Sequence, residues 1–248
     1  MREQPPIYEA TYHRGDVKYL VDQAKTKLIS PCMARFGLSY REPERADSPE
    51  DNAMLRPFGV ESTAERAPAV PAEPEVPVAG GKAYGLALYG PPNRLVQARG
   101  EKITVTAPAV GCEADAERRL LGDKRVRQME LRILLFEAEE RSLEAFDADR
   151  SFAPVRSAWR DCMRDAGFGK AADPATLHSE LPASTNLATD PSVAADLACK
   201  ARLDYLPRAY ATMAAIQQRE LARTPGALDE YNAIQQAQVT EARDVLGS

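Results

Sequence analysis

One seven-residue pattern occurs twice in this chain. Cys32-Met33-Ala34-Arg35-Phe36-Gly37-Leu38 and Cys162-Met163-Arg164-Asp165-Ala166-Gly167-Phe168 share the form Cys-Met-x-x-x-Gly-apolar. Each copy is followed downstream by one further cysteine, Cys112 after the first and Cys199 after the second, which uses all four cysteines of the sequence. A chain written this way is expected to fold as two units of one plan. Four cysteines allow three pairings; the repeat selects the two within units, Cys32–Cys112 and Cys162–Cys199. A redox-active pair is the other reading, but nothing in the neighbouring sequence would activate a thiolate.

The paired layout also bears on compartment. Stable disulfides belong to oxidising surroundings, so the expected location is extracytoplasmic, secreted or lipid-anchored, the sequence representing a mature form with its export signal removed. The start, Met1-Arg2-Glu3-Gln4-Pro5-Pro6, carries no apolar signal core, which leaves a cytoplasmic protein with free thiols as the alternative. No stretch approaches the roughly 20 apolar residues of a membrane span. A net charge of -5 argues against nucleic acid as a partner, since that footprint would be basic.

Aromatic residues are only 6 % of the chain, and alanine supplies much of the apolar content. That favours helices over a sheet-built core. The fold class expected is mainly α, bundle-like, with a small β-hairpin, a long Pro-rich loop and two disulfide-closed units. In chain order, residues 1–14 read as an extended arm and residues 15–150 as the first Cys-Met unit. Gly15-Asp16 offers a helix start for the stripe Val17, Leu20, Val21, Ala24 and Leu28, with a kink or restart expected at Ser30-Pro31 and a stop at Gly37. A Pro-rich excursion spans 39–82, polyproline-like over 67–77, with ordered islands at Arg56–Val60 and Tyr84–Gly90. Ile103–Thr106 is the one convincing strand. Val126, Met129, Ile133, Phe136, Leu143 and Phe146 mark a long helix after Cys112.

Residues 151–248 form the second unit. Pro154 opens its Cys-Met helix, with Val155, Ala158, Trp159, Cys162, Met163 and Ala166 as the apolar stripe. A linker over 169–191 follows. The end reads as a helical hairpin turning at Thr224-Pro225-Gly226, its first arm kinked at Pro207.

Few groups here suggest chemistry. Glu137, Glu139, Glu140 and Glu144, with Asp147 and Asp149, cluster along one helix and could form an acid/base pair of a cell-wall or peptide-directed hydrolase. No Glu-x-x-His accompanies them as in di-iron bundles, and a solvated charged face is the expectation. His13 and His178 are expected exposed, and neither zinc spacing nor a Gly-x-Ser-x-Gly elbow occurs. No metal and no cofactor is expected. Phe58, Tyr84 and Tyr89 are candidates to line a ligand groove, each aromatic lying near a glycine.

Several pieces occur in a fixed order: Cys-Met-x-x-x-Gly, Arg56-Pro57-Phe58-Gly59-Val60, Tyr84-Gly85-Leu86, Val110-Gly111-Cys112, Trp159-x-x-Cys162-Met163 and Ala194-Ala195-Asp196-Leu197-Ala198-Cys199-Lys200. From about residue 28 onward the chain resembles a group of secreted or lipid-anchored actinobacterial proteins with paired cysteines. The resemblance implies export and an accessory role at the cell envelope, with a protein partner that includes an ABC-type exporter complex among its candidates. It implies no catalytic residues. The expected function is non-catalytic binding of a protein partner or small ligand outside the cytoplasm; a cytosolic helical interaction protein with free thiols is a further alternative.

Overall fold

The structure is a computed structural model that describes residues 4–12, 15–40, 57–63, 81–182 and 184–247, without the side chains of residues 15 and 16. It is mainly helical, with one two-stranded antiparallel sheet and two disulfides. The chain divides into two compact units, each interleaved in sequence rather than consecutive. One takes Met1–Tyr12, Ala46–Glu75 and Arg141–Arg219; the other takes His13–Arg45, Val76–Glu140 and Glu220–Ser248. The first holds Cys162–Cys199 and the second holds Cys32–Cys112, so each unit carries one disulfide. Two of the passages between the units fall inside helices, at 140/141 and 219/220.

In the Cys32 unit, α2 (Gly15–Ala34) continues as one helix through Pro31, in place of the expected restart. Pro31 falls one turn from the end, so little helix remains beyond it to be displaced. The stripe read from the sequence is the face that packs: Val21 and Ala24 are buried against Leu120, Ala242 and Val245. Helix α3 (Gly81–Tyr89) occupies the segment expected as an aromatic-glycine island. Strand β1 (Leu95–Arg99) pairs with β2 (Thr104–Pro108), with Ala98 opposite Val105. β1 has little β-branched character, and its place in the sheet comes from pairing rather than its own propensity. Helices α4 (Cys112–Leu121) and α5 (Arg125–Asp147) follow, separated by a 3-10 turn at Gly122–Lys124. Helix α10 (Ala227–Gly247) packs on α2 and α4.

The other unit begins with α1 (Pro6–Thr11), where an extended arm was expected. Pro6 at the first helical position suits the fixed φ of proline. Ile7 and Tyr8 are buried, and the Ile7 N–H donates to Gln217 Oε1 at 2.8 Å. Helix α6 (Ala153–Asp165) carries the expected stripe, with Val155, Trp159, Cys162 and Met163 all buried. Helix α7 (Pro174–Glu180), capped by Asp173 accepting from the Thr176 N–H, lies inside the segment expected to be a linker. Helix α8 (Pro191–Arg202) starts at Asp190, whose carboxylate accepts from the Ser192 and Val193 N–H groups.

Helix α9 (Tyr205–Leu221) is separated from α8 at Asp204, which has φ +50°. The break therefore precedes Pro207, which sits harmlessly in the first turn of α9. The turn at Thr224–Gly226 is present, with Gly226 at φ +80°. Up to Arg219, however, α9 belongs to the core of the Cys162 unit and α10 to the Cys32 unit. The hairpin expected from sequence thus describes connectivity, while each arm buries its apolar face in a different core.

Candidate functional site

The repeated motif is a helix terminator with a sulfur anchor. In the first copy the Leu38 N–H donates to Met33 O at 3.2 Å; in the second, the Phe168 N–H donates to Met163 O at 2.8 Å. The intervening glycines take φ +70° at Gly37 and +89° at Gly167, the left-handed region open to a residue without Cβ. This 6→1 bond around a left-handed residue satisfies orphan carbonyls at the helix end. Met33 and Met163 are both fully buried, and the cysteine before each forms the expected pair, Cys32–Cys112 and Cys162–Cys199. Among the described residues no cysteine is free, and the Cα atoms of the bridged pairs are 5.6 and 5.9 Å apart. The four cysteines are also buried, so the sulfurs serve the cores.

Helix α3 covers the Cys32–Cys112 disulfide. Helix α3 lays Ala87 and Leu88 on the disulfide core beside Met33 and Ala116. Its other face presents Leu86, 42 % exposed, and Tyr89, 49 % exposed, three residues apart and thus side by side. At the end of α2, beyond the same disulfide, Phe36 is 62 % exposed. The close approach that holds α3 here needs two glycines. A Cβ on Gly90 would lie 2.7 Å from Val110 O, and one on Gly111 would lie 2.6 Å from Gly90 N. Partial burial pushes the Tyr89 phenol up, with Glu113 and Tyr84 adding to the shift, so its hydroxyl remains a neutral donor at physiological pH.

Of the three aromatics expected to line a groove, Tyr89 is half-exposed and Tyr84 half-buried on α3. Phe58 is a correction: it is 2 % exposed in the other unit's core, tilted against Phe146 with ring centroids 5.1 Å apart and edge-on to Tyr210 at 5.0 Å. That core is an aromatic chain, continuing from Phe146 to Phe152 at 4.8 Å and on to Tyr205 at 5.2 Å. Apolar neighbours on every side make burial of Phe58 more favourable than exposure, by about 1.5–3 kcal/mol.

The acidic helix also departs from a solvated face. Glu140, Glu144 and Asp147 are exposed, but Glu137 and Glu139 are buried. The Glu137 carboxylate accepts three backbone N–H groups of the β1–β2 turn: Glu101 at 2.9 Å, Lys102 at 2.7 Å and Ile103 at 3.0 Å. Its lone pairs hold the hairpin on α5 and are not presented to a substrate. Asp149 takes a similar part at the entry to α6, accepting from the Ser151 and Phe152 N–H groups. His178, expected exposed, is buried in α7. His13 lies outside the described residues. Among those residues no His/Cys/Asp/Glu group has the arrangement to hold a metal ion.

Two charge networks, one buried and one partly buried, escape the sequence reading. In the Cys162 unit, Asp196 accepts from Trp159 Nε1 at 2.8 Å and from Lys200 Nζ at 2.7 Å, and Lys200 also donates to Val60 O at 2.6 Å. Burial pushes the Asp196 carboxyl up against the opposing pull of Lys200 and Trp159. In the Cys32 unit, Glu117 joins Lys25 at 2.9 Å and Arg125 at 2.6 Å, while Arg125 also donates to Pro108 O at 2.7 Å. The first had a sequence signal: an acid and a base one turn apart on the cysteine helix, in line with its apolar stripe. The second joins residues far apart in sequence and had none.

Among the described residues, no helix is long and apolar enough to cross a membrane. No protein-family model, curated protein or solved structure matches the chain. The geometry offers two disulfide-stapled helical cores and, on α3 over one of the disulfides, an exposed apolar pair, Leu86 and Tyr89.

Proposed function

We propose that this is a non-catalytic binding protein working outside the cytoplasm as an accessory of the cell envelope. The observation that carries the reading is the oxidised state of the chain: each compact unit is closed by its own buried disulfide, with no free cysteine among the described residues. Such bridges persist where the surroundings oxidise thiols and are rare where glutathione keeps them reduced. The exposed apolar pair on α3 suits a protein partner, since aromatic and large aliphatic groups rimmed by polar surface supply the energetic centres of interfaces. Tyr89 contributes both a ring face and a phenolic donor.

Thiol trapping in the native cell provides the test. Cells are quenched in acid, alkylated without reductant, and the chain is examined by intact mass. No added alkyl groups, together with recovery in the envelope or secreted fraction, is the expected result. Four alkylated thiols in the cytosolic fraction would remove the reading. A photo-reactive tyrosine analogue at position 89 then tests the surface: a cross-link to an envelope protein that disappears in Leu86→Asp is expected, and the absence of any cross-link from position 89 would place the partner elsewhere.

A further inference from the structure

Residues 58–61, Phe-Gly-Val-Glu, form no helix or strand, yet each has its own place in the Cys162 unit. Phe58 is buried, its ring edge-on to Tyr210 and tilted against Phe146. Gly59 turns the backbone at φ +71°, and a Cβ there would lie 2.2 Å from Pro174 O. Val60 is buried with Leu187 and Val193. Its carbonyl accepts from Lys200 Nζ at 2.6 Å, across 140 residues of sequence. The Glu61 carboxylate accepts from the Tyr210 hydroxyl. Ser62 and Thr63 are then exposed.

The receiving side is positioned by contacts of its own. Asp196 holds Lys200 Nζ at 2.7 Å and is itself held by Trp159 Nε1 at 2.8 Å, so α6 and α8 aim the cation together. The Cys162–Cys199 disulfide ties the same two helices one residue before Lys200. Tyr210 stands on α9, and Pro174 opens α7. A ring pocket, a backbone wall, a cation and a hydroxyl thus read four successive residues. The segment belongs to the stretch Ala46–Glu75, whose sequence neighbours on both sides are assigned to the Cys32 unit. It therefore enters the Cys162 unit as a tethered excursion of the chain, gripped the way a bound peptide is gripped.

We propose that this groove is a peptide-recognition site filled in cis by residues 58–61, and that a protein partner bearing the pattern aromatic-Gly-β-branched-Glu enters by displacing them. Glycine sets one part of the specificity, because the left-handed φ and the approach to Pro174 O both exclude a Cβ. The acid sets another, since a hydroxyl donates more strongly to a carboxylate than to a neutral amide. The tethered segment acts as a competitor at an effective concentration of about 1 mM. A free peptide with a Kd on the order of 0.1 mM for the empty groove is thereby held back about tenfold. The site does not involve the exposed pair on α3, and its failure would leave the reading of that surface unchanged.

The probe is the peptide acetyl-Arg-Pro-Phe-Gly-Val-Glu-Ser-amide, the sequence of residues 56–62, added to the full oxidised chain. Trp159, hydrogen-bonded to Asp196 beside Lys200, reports binding through its emission, and the peptide contains no tryptophan. Two variants should empty the groove. Phe58→Ser removes the ring anchor, and Gly59→Ala sets a Cβ against Pro174 while leaving every receiving residue in place. Both should bind the peptide saturably and regain thermal stability with it. Wild type should bind about tenfold more weakly, with a Kd of about 1 mM, followed by saturation-transfer NMR on the peptide's phenylalanine ring. A peptide carrying Gly59→Ala should not bind, and one carrying Glu61→Gln should bind several-fold more weakly. No saturation transfer from wild type would overturn the site whether or not the variants fold. Equal binding of the Gly59→Ala peptide, or equal affinity of wild type and the variants, would also overturn it. A wild-type dimer in sedimentation that is lost in Gly59→Ala would overturn the separate partner, giving the groove to the segment of a second copy.

Discussion

The most demanding consequence of the structure concerns Glu137. As a member of a solvated acidic face, it would tolerate Glu137→Ala or Glu137→Gln within about 0.5 kcal/mol. In the structure it is 5 % exposed and accepts the Glu101, Lys102 and Ile103 N–H groups at 2.7–3.0 Å. Hydrogen bonds to a charged acceptor contribute about 1.5–3 kcal/mol each. The three amides are only partly buried, so water recovers much of that sum after truncation, and the expected loss for Glu137→Ala is about 3 kcal/mol. Glu137→Gln keeps Oε1 for Lys102 and Ile103 but sets an amide donor against the Glu101 N–H. Its expected loss is about 1–2 kcal/mol.

Urea denaturation gives the totals, and hydrogen exchange at residues 101–103 gives the local answer whether or not the two units unfold together. Wild type, Gln and Ala should rank in falling protection at those three amides. Equal protection in all three proteins, with midpoints unchanged, would refute the anchoring role and restore the solvated-face reading. The fit of Gly100 supplies an independent check. A Cβ there would lie 2.4 Å from Ile133 Cγ2 and 2.5 Å from Glu137 Oε1, so Gly100→Ala should cost about 1–3 kcal/mol by overpacking and lower the same three protections.

Three further outcomes are expected. Asp196→Ala strands the Lys200 ammonium in a site only 2 % exposed and should cost about 3–5 kcal/mol, whereas Asp196→Leu with Lys200→Met should come close to wild type; urea midpoints followed by the emission of Trp159, the one tryptophan of the chain, separate the two cases. Gly37→Ala and Gly167→Ala meet open space but force alanine to positive φ, so each should lower stability by a similar amount, about 1–2 kcal/mol; a large inequality between them would show that the two copies are not equivalent. Burial pushes Glu117 up, but Lys25 and Arg125 overcome it and hold the carboxyl below its ordinary value. Its contribution is therefore present above the unfolded value of 4.5 and lost as pH falls through the folded one. Glu117→Gln should accordingly cost most near neutrality and least in acid, with Glu113, raised by burial and by Glu117, titrating in the opposite sense.

Much of this molecule is readable in its local patterns. The stripe of α6, the capping Asp190 and the turn at Gly226 depend on neighbours within a few residues, where spacing, cap chemistry and backbone preference act together. The Cys-Met-x-x-x-Gly repeat belongs with them, because a helix terminator is a local device and its duplication alone was enough to suggest both disulfides. Local preference is weaker where packing decides. α1 holds because Ile7 and Tyr8 are buried and Gln217 takes the Ile7 N–H, a contact 210 residues away in sequence. β1 exists because β2 pairs with it.

The candidate site divides the same way. Tyr89 could be picked out as an aromatic beside a glycine, but its exposure, and the burial of Phe58 in the other unit's core, follow from which faces of α3 and of the aromatic chain found partners. Glu137 was visible as one acid in a cluster. Its work as an acceptor for the hairpin turn was not, since the three amides it satisfies lie 34–36 residues earlier. From the sequence alone came two sulfur-anchored helix ends, a helical class and four cysteines with a preferred pairing. The tertiary structure alone decided how the chain is divided, with each compact unit assembled from three separate stretches. It also decided which charges are buried and where apolar groups are left facing water. Those outcomes depend on desolvation and packing between distant segments, and no periodicity within a segment encodes them.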